Sequence, residues 1–258
     1  MPVIARGFSL VVSLWVLHRA GMLTARRPSF EELRQSWSGI LAVGLPASLT
    51  NLIVPLTSAL ITGIVARFGK EAVAALSVCA RIDLFAIMAV VALSTVIGPF
   101  VGQNIGAREI GRVRTGVVLG QRFSLLYGLG ISLLLAIAAR WIAPLFSDNT
   151  LVIQHIILYL SVAPIGYAAR GIYALGNTVL NVMNEPLTAS LVTLIQMFGV
   201  YLPMAFLGAN WFGLIGAFGA IPLAYTVGGT VSYLLVRRKL ARLESPADTP
   251  DLVSEVVR

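Results

Sequence analysis

Two charged side chains, Arg81 and Asp83, stand where charge is expensive, inside the stretch AVAALSVCARIDLFAIMAVVALSTVIGPFVGQNIGAREIGRVR at residues 72–114. The first thirty of these residues are almost wholly apolar and long enough to cross a bilayer. Asp83 lies roughly 14–17 Å from the outer end of that run at 1.5 Å per residue, near the middle of a hydrocarbon core about 30 Å thick. A carboxylate at that depth costs roughly 2.5–3.5 kcal/mol and asks for a reason. One reason is chemical: Asp83 is the only internal carboxylate that could exchange a proton or hold Na⁺ against a cationic substrate, with Arg81 as the neighbour that tunes it. The two are turned about 200° apart on a helix and form no local pair. The other reason is structural, an interhelical contact from Asp83 to Arg122, Gln121 or a tyrosine.

Uncharged polar residues inside the apolar runs are the second set. Asn51, Gln121, Tyr159 and Gln196 are candidates for the lining of a substrate cleft, beside Ser58, Tyr127, Tyr167, Asn177 and Asn181. Membrane bundles also use such groups to join helices. Arg122 and Arg170 lie towards the inner ends of their runs and can reach the inner headgroups. No nucleophile–base pair, metal-ligand spacing or phosphate-binding glycine loop is present, so an enzyme and a bound metal or other cofactor are not expected.

The elements that must position these residues are membrane helices. With 57% hydrophobic and 12% charged residues and a mean hydropathy of +0.87, the chain reads as a polytopic all-α membrane bundle. Its net charge of +8 falls in short connections between spans and answers to topology rather than to nucleic acid. Six spans are expected near 38–66, 72–101, 115–139, 151–182, 187–207 and 212–236. Residues 1–17 form the end of a preceding transmembrane helix, residues 18–37 a connection with a short amphipathic helix, and 237–258 a polar tail expected to be disordered.

Eleven basic residues, including Arg19, Arg108, Arg112, Arg114, Arg237 and Arg238, flank one side of these spans, and three, Arg67, Lys70 and Arg140, the other. The richer side, with the C-terminus, is expected in the cytoplasm. Prolines recur within the runs. Pro46, Pro55 and Pro164 are candidate hinges, or else bends that neighbouring helices accommodate. Gly116 and Gly120, Gly128 and Gly130, and Gly213, Gly216 and Gly219 mark faces for close helix packing.

Gly44-Leu45-Pro46, Phe68-Gly69-Lys70-Glu71-Ala72, Arg81-Ile82-Asp83, Gly98-Pro99-Phe100-Val101-Gly102-Gln103-Asn104-Ile105-Gly106-Ala107, Leu145-Phe146-Ser147-Asp148 and Asn181-Val182-Met183-Asn184-Glu185-Pro186 occur in this order. Together they resemble the C-terminal half of multidrug and toxic compound extrusion (MATE) transporters, over residues 30–240. The resemblance implies one six-helix lobe of a two-lobe transporter plus part of a preceding helix. It further implies a plasma (inner) membrane location and antiport of a small cationic or amphipathic compound against H⁺ or Na⁺. The partner would be a missing N-terminal lobe, upstream in the same chain or a second subunit. Some members carry cation-binding acids on the first and fourth helices of this lobe. Residues 38–66 and 151–182 contain none, and only Asp83 matches an acidic position. Two further readings are a lipid-linked oligosaccharide flippase of related architecture and a membrane interaction module without transport.

Overall fold

The computed structural model describes residues 2–21 and 29–243, with the side chains of Pro2, Val3, Ala5, Gln35, Gly39, Ile40 and 42–51 left aside. Every regular element in it is helical. Residues 1–49 and 50–258 make two compact units. In the first, α1 (Pro2–Arg19) exposes Phe8, Val11, Trp15 and other large apolar side chains, with the Arg19 guanidinium over the Trp15 ring. Ser29 opens the next helix with a reciprocal cap: the Glu32 carboxylate accepts from the Ser29 N–H at 2.8 Å, and the Ser29 hydroxyl accepts from the Glu32 N–H at 3.2 Å. From that cap α2 runs unbroken from Phe30 to Ala66. The amphipathic segment expected as a separate short helix is thus the first turns of the first long helix.

The larger unit continues through α3 (Lys70–Ala86), α4 (Met88–Gly106), α5 (Ile110–Ile142), α6 (Thr150–Val162), α7 (Tyr167–Val182), α8 (Pro186–Leu194) and α9 (Leu202–Leu243). These helices bend at several points. α3 and α4 follow one another with a single break at Ile87, where the Tyr127 hydroxyl of α5 donates to the Ala86 carbonyl at 2.8 Å. α4 passes through Pro99 without a break and ends at Gly106, beyond the expected span end near residue 101. α6 and α7 are joined by a 3₁₀ turn, Ala163–Gly166, built on Pro164. The Ser132 hydroxyl lies against the Pro164 carbonyl and, at 2.6 Å, the Gly128 carbonyl.

A π-helical turn, Ile195–Tyr201, links α8 to α9, just before Pro203. Proline has no N–H for the Gly199 carbonyl and its ring crowds that oxygen, and a widened turn relieves both. α9 is two helices folded back at Gly213, whose φ of 65° and ψ of −145° suit only glycine. Gly213 is therefore a turn, where the sequence pattern placed it on a packing face.

α7 is the centre of the unit and packs against α4, α5 and α9, while α6 packs against α3 and α5. Outward faces are apolar: Leu126, Leu129, Leu133 and Ile137 of α5 are all exposed, as acyl chains require. Among the described residues, four segments are long and apolar enough to span a bilayer: Met88–Gly106, Ile110–Leu145, Thr150–Val182 and Pro186–Leu243. The protein is an all-α, multi-pass membrane bundle. Its two larger apolar cores among the described residues are as follows. One gathers Val65, Ala72, Cys79, Ile156, Leu160 and Phe218, and the other Val101, Val113, Leu175, Val179, Met183 and Leu240.

Candidate functional site

Asp83 is drawn in from three sides. Tyr159 of α6 donates to its Oδ2 at 2.7 Å, Tyr167 of α7 donates to its Oδ1, and Arg170 of α7 places Nη1 3.6 Å from Oδ2. Each position follows from local folding. Asp83 faces inward with Cys79, one turn earlier on α3, which is fully buried. The 3₁₀ turn at Pro164 sets Tyr167 and Arg170 on the first turn of α7, three residues apart and so on one face.

Both tyrosines are almost fully buried, and the side chains of Asp83 and Arg170 keep 14% and 24% of their exposure. The pair is thus desolvated enough for its partners to matter and open enough to be reached. Arg170 also lies over the Tyr225 ring of α9, 5.1 Å from its centroid. Tyr225 meets Tyr173 edge to face at 6.0 Å, and Tyr159 meets Phe218 likewise at 5.0 Å.

A cavity of about 150 Å³ opens on this cluster, lined by Asp83, Tyr159, Arg170, Gln196, Tyr201 and Tyr225 among others. Tyr159, Tyr201, Ile221 and Tyr225 also form one wall of a larger groove of about 290 Å³, whose other wall is Thr57, Ser58 and Ile61 of α2 with Leu76, Ser77 and Ala80 of α3. Of the cleft candidates, Tyr159 and Gln196 thus belong to one site with Asp83. Gln121 does not: it lines a separate cavity of about 410 Å³ between α5 and α9, with Arg114, Tyr233 and Arg237. The Asn51 side chain, and that of Pro46, fall outside the described residues. Pro55 is exposed within an uninterrupted α2, whereas Pro164 sits in a real break.

Arg81 is not a neighbour of Asp83. It is exposed on the opposite side of α3, as two residues of helical rotation require, and Arg170 is the cation that meets the carboxylate. Arg170 does not reach out to headgroups. Among the partners considered for Asp83, the tyrosines are found, and Arg122 is exposed elsewhere on α5. Tyr201 and Tyr225 were not singled out from sequence. A usable signal was the polar series Tyr167, Arg170, Tyr173, Asn177 at steps of three and four within an apolar run, which draws one polar face along α7.

At the arginine-rich end of the bundle, Lys239 of α9 donates to Glu185 in the α7–α8 connection at 2.7 Å, and Thr188 donates to the same carboxylate at 2.8 Å. These bonds hold the Glu185 carboxyl below the usual glutamate range.

Comparison with known proteins matches the helical fold. Over 232 residues the chain is 30% identical to a FAD transporter of Shewanella oneidensis, spanning 90% of this chain and 50% of that protein. A probable multidrug resistance protein of Bacillus subtilis, YoeA, is 24% identical over 79% of this chain and 46% of its own length. Among solved structures, the Vibrio cholerae MATE transporter VcmN in its bent form matches with a TM-score of 0.76 at 29% identity, over 93% of this chain and 54% of that one. The chain spans about half the length of the relatives it matches. Residues 46–207, more than half of the chain, match the MatE family model, and the chain therefore belongs to the MatE family.

Proposed function

We propose that this chain is one lobe of a plasma-membrane antiporter that exports organic solutes, with Asp83 as a coupling group and a second lobe, in the same polypeptide or a partner subunit, completing the cleft. The observation that carries the reading is the buried Asp83 carboxylate, held by Tyr159, Tyr167 and Arg170 at the edge of a cavity. A carboxylate so held has two states that differ in what they bind. Ionised, it accepts from both tyrosines and pairs with Arg170. Protonated, it loses the pairing and frees the guanidinium.

The same geometry supports one coupling ion over the other. Arg170 at 3.6 Å repels a Na⁺ ion placed on Oδ2, whereas a proton needs no room and removes the charge that holds Arg170. H⁺ is therefore the ion this site favours. In this orientation the arginine-rich end, with the C-terminus, faces the cytoplasm. The substrate belongs to the organic compounds named for the relatives, which include a dinucleotide and drugs. The test is Asp83→Asn in the complete protein. Proton-driven efflux from loaded proteoliposomes should fall to the leak of empty vesicles, and efflux equal to wild type at equal protein content overturns the assignment.

A further inference from the structure

Gln196 is 1% exposed, and neither the oxygen nor the nitrogen of its amide has a hydrogen-bond partner among the described residues. A buried amide left without partners is costly, and structures rarely keep one without a use. Its position is equally unusual. Gln196 and Tyr201 lie on the π-helical turn Ile195–Tyr201, the kind of local irregularity that recurs at functional sites, and both line the cavity at Asp83.

The remaining walls constrain what could satisfy the amide. Asp83 and Arg170 already compensate one another, so the cavity holds no uncompensated charge and offers little to a bare cation. Tyr159, Tyr201 and Tyr225 supply aromatic surface suited to a flat ring. At about 150 Å³ the cavity is smaller than a site for a whole drug-sized molecule, about 300–1,000 Å³. The larger groove across Tyr159, Tyr201 and Tyr225 is open to the rest of a longer ligand.

We infer that this cavity is a subsite for a planar heterocycle with a cyclic amide or imide edge, an N–H beside a carbonyl, read by Gln196 as paired acceptor and donor. The inference rests on the transporter reading for its purpose, naming the substrate class at the same site. The Gln196 oxygen accepts the ring N–H and the Gln196 nitrogen donates to the ring carbonyl. The bulk of the molecule then lies along the tyrosine wall towards α2 and α3.

The test compares two ligands that differ at one atom, lumiflavin, with a free imide N–H, and N3-methyllumiflavin, in which a methyl group blocks it. Binding to the complete purified protein in detergent is read at equilibrium by quenching of flavin fluorescence. No ion gradient is involved, so the outcome is independent of whether Asp83 couples transport. Lumiflavin should bind on the order of tenfold more tightly than its N-methyl analogue, the worth of one to two net hydrogen bonds. Gln196→Met, which keeps volume and needs no partner, should abolish that preference. A preference that persists in Gln196→Met, equal binding of the two ligands by wild type, or no binding of either overturns the proposal. The wild-type comparison stands even if the variant does not fold.

Discussion

Tyr159 and Asp83, 76 positions apart in sequence, are joined by a 2.7 Å hydrogen bond from the α6 hydroxyl to the α3 carboxylate. That bond ties α6 to α3 at the edge of the cavity. Tyr159→Phe removes one donor from an ionised acceptor, and a loss of about 1.5–3 kcal/mol is expected, read as a lower melting temperature of the detergent-solubilised protein. An unchanged melting curve would show that the bond contributes nothing net.

Charge pairing predicts a second, non-additive result. Removing Asp83 alone leaves Arg170 desolvated without its anion, and removing Arg170 alone does the reverse, each costing about 3–5 kcal/mol. The double variant Asp83→Asn with Arg170→Gln should lose much less than the sum of the two. Additive losses in a double-mutant cycle would mean that the two groups do not interact.

Close packing of α5 on α7 brings backbone against backbone at Gly128. A Cβ on Gly128 would lie 2.4 Å from the Ala168 backbone, whereas one on Gly130 would meet nothing within 4 Å. Gly128→Ala must separate the helices and should cost about 1–3 kcal/mol, and Gly130→Ala should be neutral or slightly stabilising. Equal melting temperatures for the two variants would contradict this packing.

The Glu185–Lys239 clamp gives a pH dependence. Lys239 and Thr188 lower the folded-state pKa of Glu185 below its unfolded value of about 4.3. Its contribution is therefore complete above that unfolded value and is lost as pH falls through the lower folded value. Melting temperature should decline across that acidic window, and Glu185→Gln should decline less. Identical profiles would assign the acid sensitivity to other groups.

Cys79 supplies a probe of core integrity. Fully buried on α3, one turn before Asp83, it should resist maleimide in the folded protein and react once the protein is denatured. Rapid labelling of the native state would mean that the α3–α6 core opens readily.

How much of this was legible in the sequence depends on the range of the interaction. Asp83 announced itself because the cost of a carboxylate in an apolar run is local and needs no partner to be recognised. Arg170 did not, because depth along a straight helix suggests a route to headgroups, and only the 3₁₀ turn at Pro164 turns it inward. The break at Ile87 has no proline or glycine of its own and is taken up by Tyr127 from another helix, so no local pattern marks it. Tyr201 and Tyr225 join the site through helices that meet only in three dimensions. By contrast, the membrane class, the all-helical fold and the family resemblance rest on composition and order of motifs, which survive without any knowledge of contacts.

The π-helical turn before α9 sets a register. A turn of this kind accommodates one residue more than an α-helix of similar rise, so everything on one side of it is rotated by about 100° relative to an uninterrupted helix. If the extra residue were passed along the chain and the turn tightened to α, Gln196 and Tyr201 could no longer share a face. Gln196 and Tyr201 therefore line one cavity together only because the turn that carries them is π rather than α.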